Sequence, residues 1–240
     1  MYYKYSETRT KIIAEIHPQH HGSMNEIKRI ILQCKLGGAD FVKIQLYSSF
    51  GLFGNRDRDY LEVSKKELSE IKRYCDLVGI NLFASIFDKE RVEWCKKLNF
   101  SHYKIASRSI DDIKLCKKII DTKKTTLISL GMYDFKSKKI PFKEKNIKYL
   151  YCVSKYPTSL GDIEMPDFTK SFFSGYSDHT VGISAVLLAI SRGAEYIEKH
   201  FSNNKASGSD TEMAHVCSMG FEDLKFIREY ADNQALIKKI

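Results

Sequence analysis

The chain of 240 residues lacks several features, and each absence excludes something. Its apolar runs, such as residues 149–153 and 185–190, fall far short of the roughly 18 residues that a membrane-spanning helix needs. Residues 1–11 are polar and aromatic with no apolar stretch, so no secretory leader is expected. The cysteines Cys34, Cys75, Cys95, Cys116, Cys152 and Cys217 stand singly, without the C-x-x-C pair of a zinc or redox site. A reduced, cytoplasmic protein is the simplest expectation. No G-x-G-x-x-G follows the first strand pattern and no G-x-x-x-x-G-K-[ST] occurs, so neither a dinucleotide fold nor a nucleoside-triphosphate loop has its phosphate cradle.

What is present is an ordinary globular composition, 43% hydrophobic, in one domain's worth of chain covering residues 1–240. Lys and Arg number 39 against 30 Asp and Glu, a formal charge of +9. The lysines are scattered as pairs such as Lys65-Lys66, Lys96-Lys97 and Lys117-Lys118. Such pairs read as solvated helix faces, so a nucleic-acid or membrane partner is not expected and an anionic small substrate is.

Short β-rich runs alternate with amphipathic segments. Strand patterns cover residues 11–16, 41–46, 81–86, 102–106, 125–130, 147–153, 172–176 and 195–201. Helical patterns cover 23–36, 64–78, 89–98, 111–120, 182–191 and 221–231 or beyond. The second of these opens with Ser64, has Glu67 three residues on as a capping box, and stops at Gly79. Residues 131–146 are lysine-rich around Pro141 without an apolar period, and the segment between Pro157 and Pro166 is short. The helices after the fifth and sixth strands are therefore expected to be reduced. Eight strands, nearly all followed by helices and with no hairpin dipeptides between them, predict an α/β fold of the (β/α)8 TIM-barrel type.

In such a barrel the active site lies at the C-terminal ends of the strands. There the sequence places Glu15, Lys43 and Gln45, Ser85, Lys104 and Ser107, Ser129, Ser154 and Tyr156, Ser177 with Asp178 and His179, and Glu198 with His200. Charged side chains inside apolar strands are costly without partners or function. Lys43 and Lys104 either converge on one anionic pocket or snorkel outward. Each serine either binds a ligand or caps a turn. His179 and His200 end adjacent strands and either share a metal ion or cap the core. His17, His20 and His21 add imidazoles after the first strand, as ligands or as a plain loop.

At these residues the sequence resembles the sialic acid synthase family, N-acetylneuraminate synthases and relatives that condense phosphoenolpyruvate with an N-acetyl sugar aldehyde. The resemblance runs from about Lys11 to Leu224. It rests on AEI at 14–16, GGADFVKIQ at 37–45, YKIAS at 103–107, ISLGM at 128–132, YPT at 156–158, GYSDHTVGI at 175–183 and GAEYIEKHF at 193–201. It implies a carbohydrate-biosynthesis transferase whose product serves cell-surface polysaccharide. His179 and His200 would bind a divalent metal, typically manganese, with magnesium or cobalt as alternatives. Lys43, Gln45, Ser85, Lys104, Ser107, Ser129, Ser154, Tyr156 and Ser177 would hold the phosphoenolpyruvate and the aldehyde sugar. Glu15, Lys104 and, by forward count from the histidine, Asp210 would take catalytic roles; a backward count lands on Ala214 instead. A homodimer is typical of the family.

The departures are as informative. The family's G-x-N-H-N-G is here His17-Pro18-Gln19-His20-His21-Gly22, and the Gly-Glu after YKIAS is Arg108-Ser109. Ser154 stands for an Asn and Ser85-Ile86 for a Thr-Pro. Full-length members carry a C-terminal antifreeze-like domain that contacts the acceptor, and this chain stops where that domain would begin. The sequence thus points to a metal-dependent synthase with an intact donor half and an altered acceptor half. The alternatives are a non-catalytic barrel beside an authentic synthase, or a Schiff-base aldolase using Lys104 or Lys43.

Overall fold

A computed structural model describes residues 9–205 and 213–237. The elements are β1 (Lys11–Glu15), α1 (Met24–Leu36), β2 (Phe41–Leu46), α2 (Ser49–Phe53), α3 (Lys65–Val78), β3 (Asn81–Ile86), α4 (Lys89–Lys97) and β4 (His102–Ile105). Then follow α5 (Ile113–Ile120), β5 (Thr125–Ser129), β6 (Ile147–Cys152), β7 (Phe173–Asp178), α6 (Ser184–Ser191), β8 (Tyr196–His200) and α7 (Phe221–Ile237). The strands form a closed barrel in sequence order, all parallel, with β8 pairing back onto β1. The expected (β/α)8 architecture is what the chain adopts.

Local signals set these elements. In α3, Ser64 and Glu67 close the capping box and Gly79 ends the helix at φ 72°, a left-handed conformation that glycine enters without a Cβ clash. The strands bury nearly every side chain because helices or loops cover the outside and the barrel interior is filled.

No α-helix separates β5 from β6, and a single 3-10 turn, Leu160–Asp162, separates β6 from β7. Aromatic packing covers the barrel there instead. Phe135 meets Phe173 at 5.1 Å between ring centroids, Phe172 stacks on Phe173 at 4.2 Å, and Tyr149 meets Phe172 at 5.8 Å. The Tyr149 hydroxyl accepts from the Phe142 N–H at 3.1 Å and donates to the Phe142 carbonyl at 2.7 Å, which pins the loop by its backbone. Rings and a tied loop thus replace the helices that the lysine-rich segment cannot form.

Most boundaries fall within one or two residues of the sequence pattern, and two differences bear on the site. β7 runs to Asp178, not Tyr176, because Ser177 and Asp178 pair with Glu198 and Lys199 of β8. The segment after β2 folds into α2, started by Ser48 as its N-cap and stopped by Gly54 at φ 74°. All six cysteines are free and buried. Among the described residues no helix is long and apolar enough to cross a membrane.

Candidate active site

A cavity of about 300 Å³ opens at the C-terminal mouth of the barrel. Every residue that the sequence assigned to catalysis, substrate or metal lines it, apart from Asp210, which lies outside the described residues. Strand periodicity explains the convergence: alternate residues at a strand's C-terminal end point into the barrel, and the parallel register sets those ends at one level.

The floor is a charged network. Lys43 and Lys104 point inward, only 3% and 2% exposed, which removes the snorkelling alternative. Lys43 donates to Ser85 Oγ at 2.7 Å, pairs with Glu15, and lies 3.6 Å from Glu198. Lys104 donates to Ser129 Oγ at 2.8 Å and lies 3.7 Å from Glu198. Burial works against the Lys43 ammonium, but the Glu15 and Glu198 charges outweigh it and raise its pKa. At Lys104 burial prevails over the attraction of Glu198, and the pKa is lowered. Burial raises the Glu15 carboxyl even beside Lys43. Burial acts on Glu198 in the same sense, yet Lys104 and Lys43 overcome it and hold this carboxyl below its ordinary range. The floor therefore offers ammonium groups and hydroxyls together, the donor set that a small polyanion needs.

The opposite wall carries the two imidazoles, with ring centroids 6.3 Å apart. His179 donates from Nδ1 to the Val153 carbonyl at 2.9 Å, which leaves Nε2 as the acceptor; there it meets the Tyr156 hydroxyl at 2.7 Å. His200 Nδ1 faces the side-chain amide of Gln19 at 3.3 Å, while Gln19 Oε1 has no partner among the described residues. With the Gln19 amide turned over, Oε1 gains the partner that it lacks and accepts from the His200 Nδ1–H. His200 then has its Nε2 lone pair for the cavity, whereas the Nε2 lone pair of His179 is engaged by the Tyr156 hydroxyl, which a metal ion would have to displace. With that hydroxyl displaced, the two imidazole nitrogens are ligands that a divalent ion would take. Among the described residues no third His, Cys, Asp or Glu joins them, so substrate and water would complete the coordination.

Asp178 and Lys199, which also border the cavity, form an ion pair whose side chains are fully shielded from solvent. Asp178 also accepts from the Tyr176 hydroxyl at 2.8 Å and the Thr180 N–H at 3.1 Å, and Lys199 donates to the Thr180 carbonyl at 2.8 Å. This lock fastens the end of β7 to β8, next to both histidines in the chain.

The loop after β1 reaches the site through Gln19 but not through its histidines. None of His17, His20 and His21 lines the cavity. The Gly22 N–H donates to His20 Nδ1 at 3.0 Å, so His20 carries its proton on Nε2 and donates to His17 Nδ1 at 3.0 Å; His17 in turn donates from Nε2 to the Tyr47 hydroxyl at 3.0 Å. Burial is the main cause that lowers the His17 pKa well below its ordinary value and that of His20 to about 4. The two form a neutral structural chain, and His21 stacks on His215 at 5.1 Å.

Of the two residues after YKIAS, Arg108 lines the cavity with its guanidinium 5.2 Å from the Phe53 ring, and Ser109 does not line it. Ser109 is buried behind the wall, where its carbonyl accepts from Cys116 Sγ at 3.3 Å. Glu198, which the sequence left without a role, is part of the floor. Its signal was the two-residue spacing to His200, which places both on one face of β8.

The NeuB family model matches residues 30–238. The chain is 33% identical over 248 residues to an uncharacterized protein of Methanocaldococcus jannaschii, across 96% of this chain and 72% of that one. It is 31% identical over 265 residues to the pseudaminic acid synthase of Campylobacter jejuni, across 98% and 74% of the two chains. The crystal structure of the N-acetylneuraminic acid synthetase from Leptospira borgpetersenii superposes with a TM-score of 0.84 at 28% identity, covering 97% of this chain and 86% of that one.

Proposed function

The chain belongs to the NeuB family, and from that premise we propose that it condenses phosphoenolpyruvate with an aldehyde sugar, giving a sialic-acid-like 2-keto-3-deoxy acid and inorganic phosphate. The observation that carries the reading is the pair of inward lysines, each bonded to a serine hydroxyl, on the floor opposite two cavity-facing imidazoles. The ammonium and hydroxyl donors suit the enol phosphate, and the imidazoles suit a divalent ion that would face the aldehyde oxygen.

On this reading Lys43 with Ser85 and Lys104 with Ser129 bind the carboxylate and phosphate, and Ser107, Ser177 and Gln45 add neutral donors. Glu15 keeps Lys43 in place. A divalent ion held by His179 and His200, manganese by preference, would supply Lewis-acid polarisation of the aldehyde. Tyr156 and Ser154, beside those imidazoles, orient the acceptor. The enol π pair of phosphoenolpyruvate forms the new bond to the aldehyde carbon as the C=O π pair moves onto oxygen, and this alkoxide takes up one proton, balanced by the one that the attacking water releases in the next step. Water then adds to the former enol C2, and the C2–O bond breaks with its pair leaving on phosphate.

The test is phosphate release from phosphoenolpyruvate with manganese across a panel of aldehyde sugars, with His179→Ala as control. Release with at least one amino sugar, abolished in the control, supports the proposal; no release with any acceptor refutes it. The lowered pKa of buried Lys104 motivates a second reading, a Schiff-base aldolase. Borohydride trapping of a pyruvate adduct on Lys104 would establish it in place of the first.

A further inference from the structure

The condensation needs a group to receive the proton of the water that attacks C2. Among the described residues the carboxylates lining the cavity are Asp178, Glu15 and Glu198. Asp178 is committed to Lys199 and accepts from the Tyr176 hydroxyl and from Thr180, with its side chain fully shielded from solvent. Glu15 lines it, but both oxygens are engaged: Oε1 accepts from the His17 N–H at 2.9 Å and Oε2 takes the Lys43 ammonium.

Glu198 is different. It is 6% exposed, and its Oε1 accepts from Ser177 Oγ at 2.9 Å. Its Oε2 is buried and has no hydrogen-bond partner among the described residues, while Lys43 stands off at 3.6 Å. A buried acceptor left open costs about 1–3 kcal/mol unless a ligand or water fills it. Lys43 and Lys104 flank this carboxylate from β2 and β4, so the open oxygen lies beside the groups that hold phosphoenolpyruvate. Neither the phosphate nor the carboxylate of that substrate donates a hydrogen bond when ionised, so the open acceptor does not suit them. It suits an O–H donor next to them.

We propose that Glu198 is the catalytic carboxylate that aligns the attacking water through Oε2. The inference rests on the condensation proposed above. As the water oxygen forms its bond to C2, its O–H pair stays on oxygen and the proton passes to Glu198 Oε2. The adduct collapses when the C2–O(phosphate) bond breaks, phosphate leaves with the electron pair, and the new C2 hydroxyl loses its proton to give the ketone. Ser177 fixes the rotamer through Oε1.

Glu198→Gln keeps the shape and the Ser177 bond but cannot take the proton. Its kcat for phosphate release is expected to fall about 100-fold or more. The KM for phosphoenolpyruvate is expected to change less than about 3-fold, since removing a group needed only in the transition state leaves ground-state binding in place. If that variant does not fold, Glu198→Asp retains the carboxylate but withdraws it by one methylene; it is expected to lose kcat at unchanged KM. Near-wild-type kcat in either folded variant, or a loss confined to KM, overturns the assignment. Absence of phosphate release from the wild-type protein with every acceptor overturns both the condensation and this role, a result distinct from an active Glu198→Gln.

Discussion

The Asp178–Lys199 lock permits a quantitative test of how the site is held. Both side chains are completely enclosed, and Lys199 contributes its ammonium to Asp178 and to the Thr180 carbonyl. Lys199→Met keeps most of the packed stem and deletes the charge. Asp178 then retains its bonds from Tyr176 and Thr180 but loses its counterion, and the Thr180 carbonyl loses a donor. Removing one partner of a buried pair costs about 3–5 kcal/mol, because the surviving charge stays desolvated and unpaired. At about 2–4 °C per kcal/mol for a chain of this size, the melting temperature should fall by about 6–20 °C. Urea titration followed by circular dichroism measures the loss, and Asp178→Asn with the double variant closes a cycle. The double variant is expected to be more stable than the sum of the single losses implies, by about 1–3 kcal/mol, since neither charge is then stranded. A Lys199→Met cost below about 1 kcal/mol, or strict additivity, would refute the reasoning, since that is the range of exposed pairs.

Three further outcomes follow. His20 is buried and neutral with its pKa lowered to about 4, so its contribution is whole above the unfolded value near 6.5 and declines as pH falls. The unfolded chain takes a proton that the folded one refuses, at about 1.4 kcal/mol per pH unit, until pH nears the folded value; urea midpoints at pH 7 and pH 5 measure this, and His20→Gln should flatten the slope. Lys104→Met should raise the KM for phosphoenolpyruvate about 10- to 100-fold, the worth of a charge-assisted hydrogen bond, and an unchanged KM would remove Lys104 from the donor site. Gln19→Ala should weaken manganese binding about 10-fold or more, read by electron paramagnetic resonance of the free ion, because His200 loses the partner of its outer nitrogen.

The barrel was legible because its signals are local. Strand runs, the Ser64–Glu67 capping box and the glycine stop at Gly79 need no tertiary knowledge. The site was legible for a related reason: polar residues at strand ends have one place to go once the strands close into a parallel barrel. What escaped depended on contacts distant in sequence. Nothing within the His17–His21 segment says that Tyr47 and the Gly22 N–H would draw His17 and His20 into a buried chain instead of the cavity. Ser109 illustrates the same limit, since the turn after β4 presents Arg108 to the cavity and hides its neighbour. Glu198 was visible as a polar strand residue, but its open oxygen exists only between side chains that arrive from β2, β4 and β7.

The central claim, that water adds to C2 and phosphate departs with C–O cleavage, is tested most directly with phosphoenolpyruvate carrying 18O in the bridging position. Incubated with manganese and an accepted aldehyde sugar, the protein is predicted to deliver the label wholly to inorganic phosphate, with a keto acid whose mass equals both substrates plus water less phosphoric acid. Label retained in the keto acid, or unlabelled phosphate, would show cleavage at phosphorus and contradict the account.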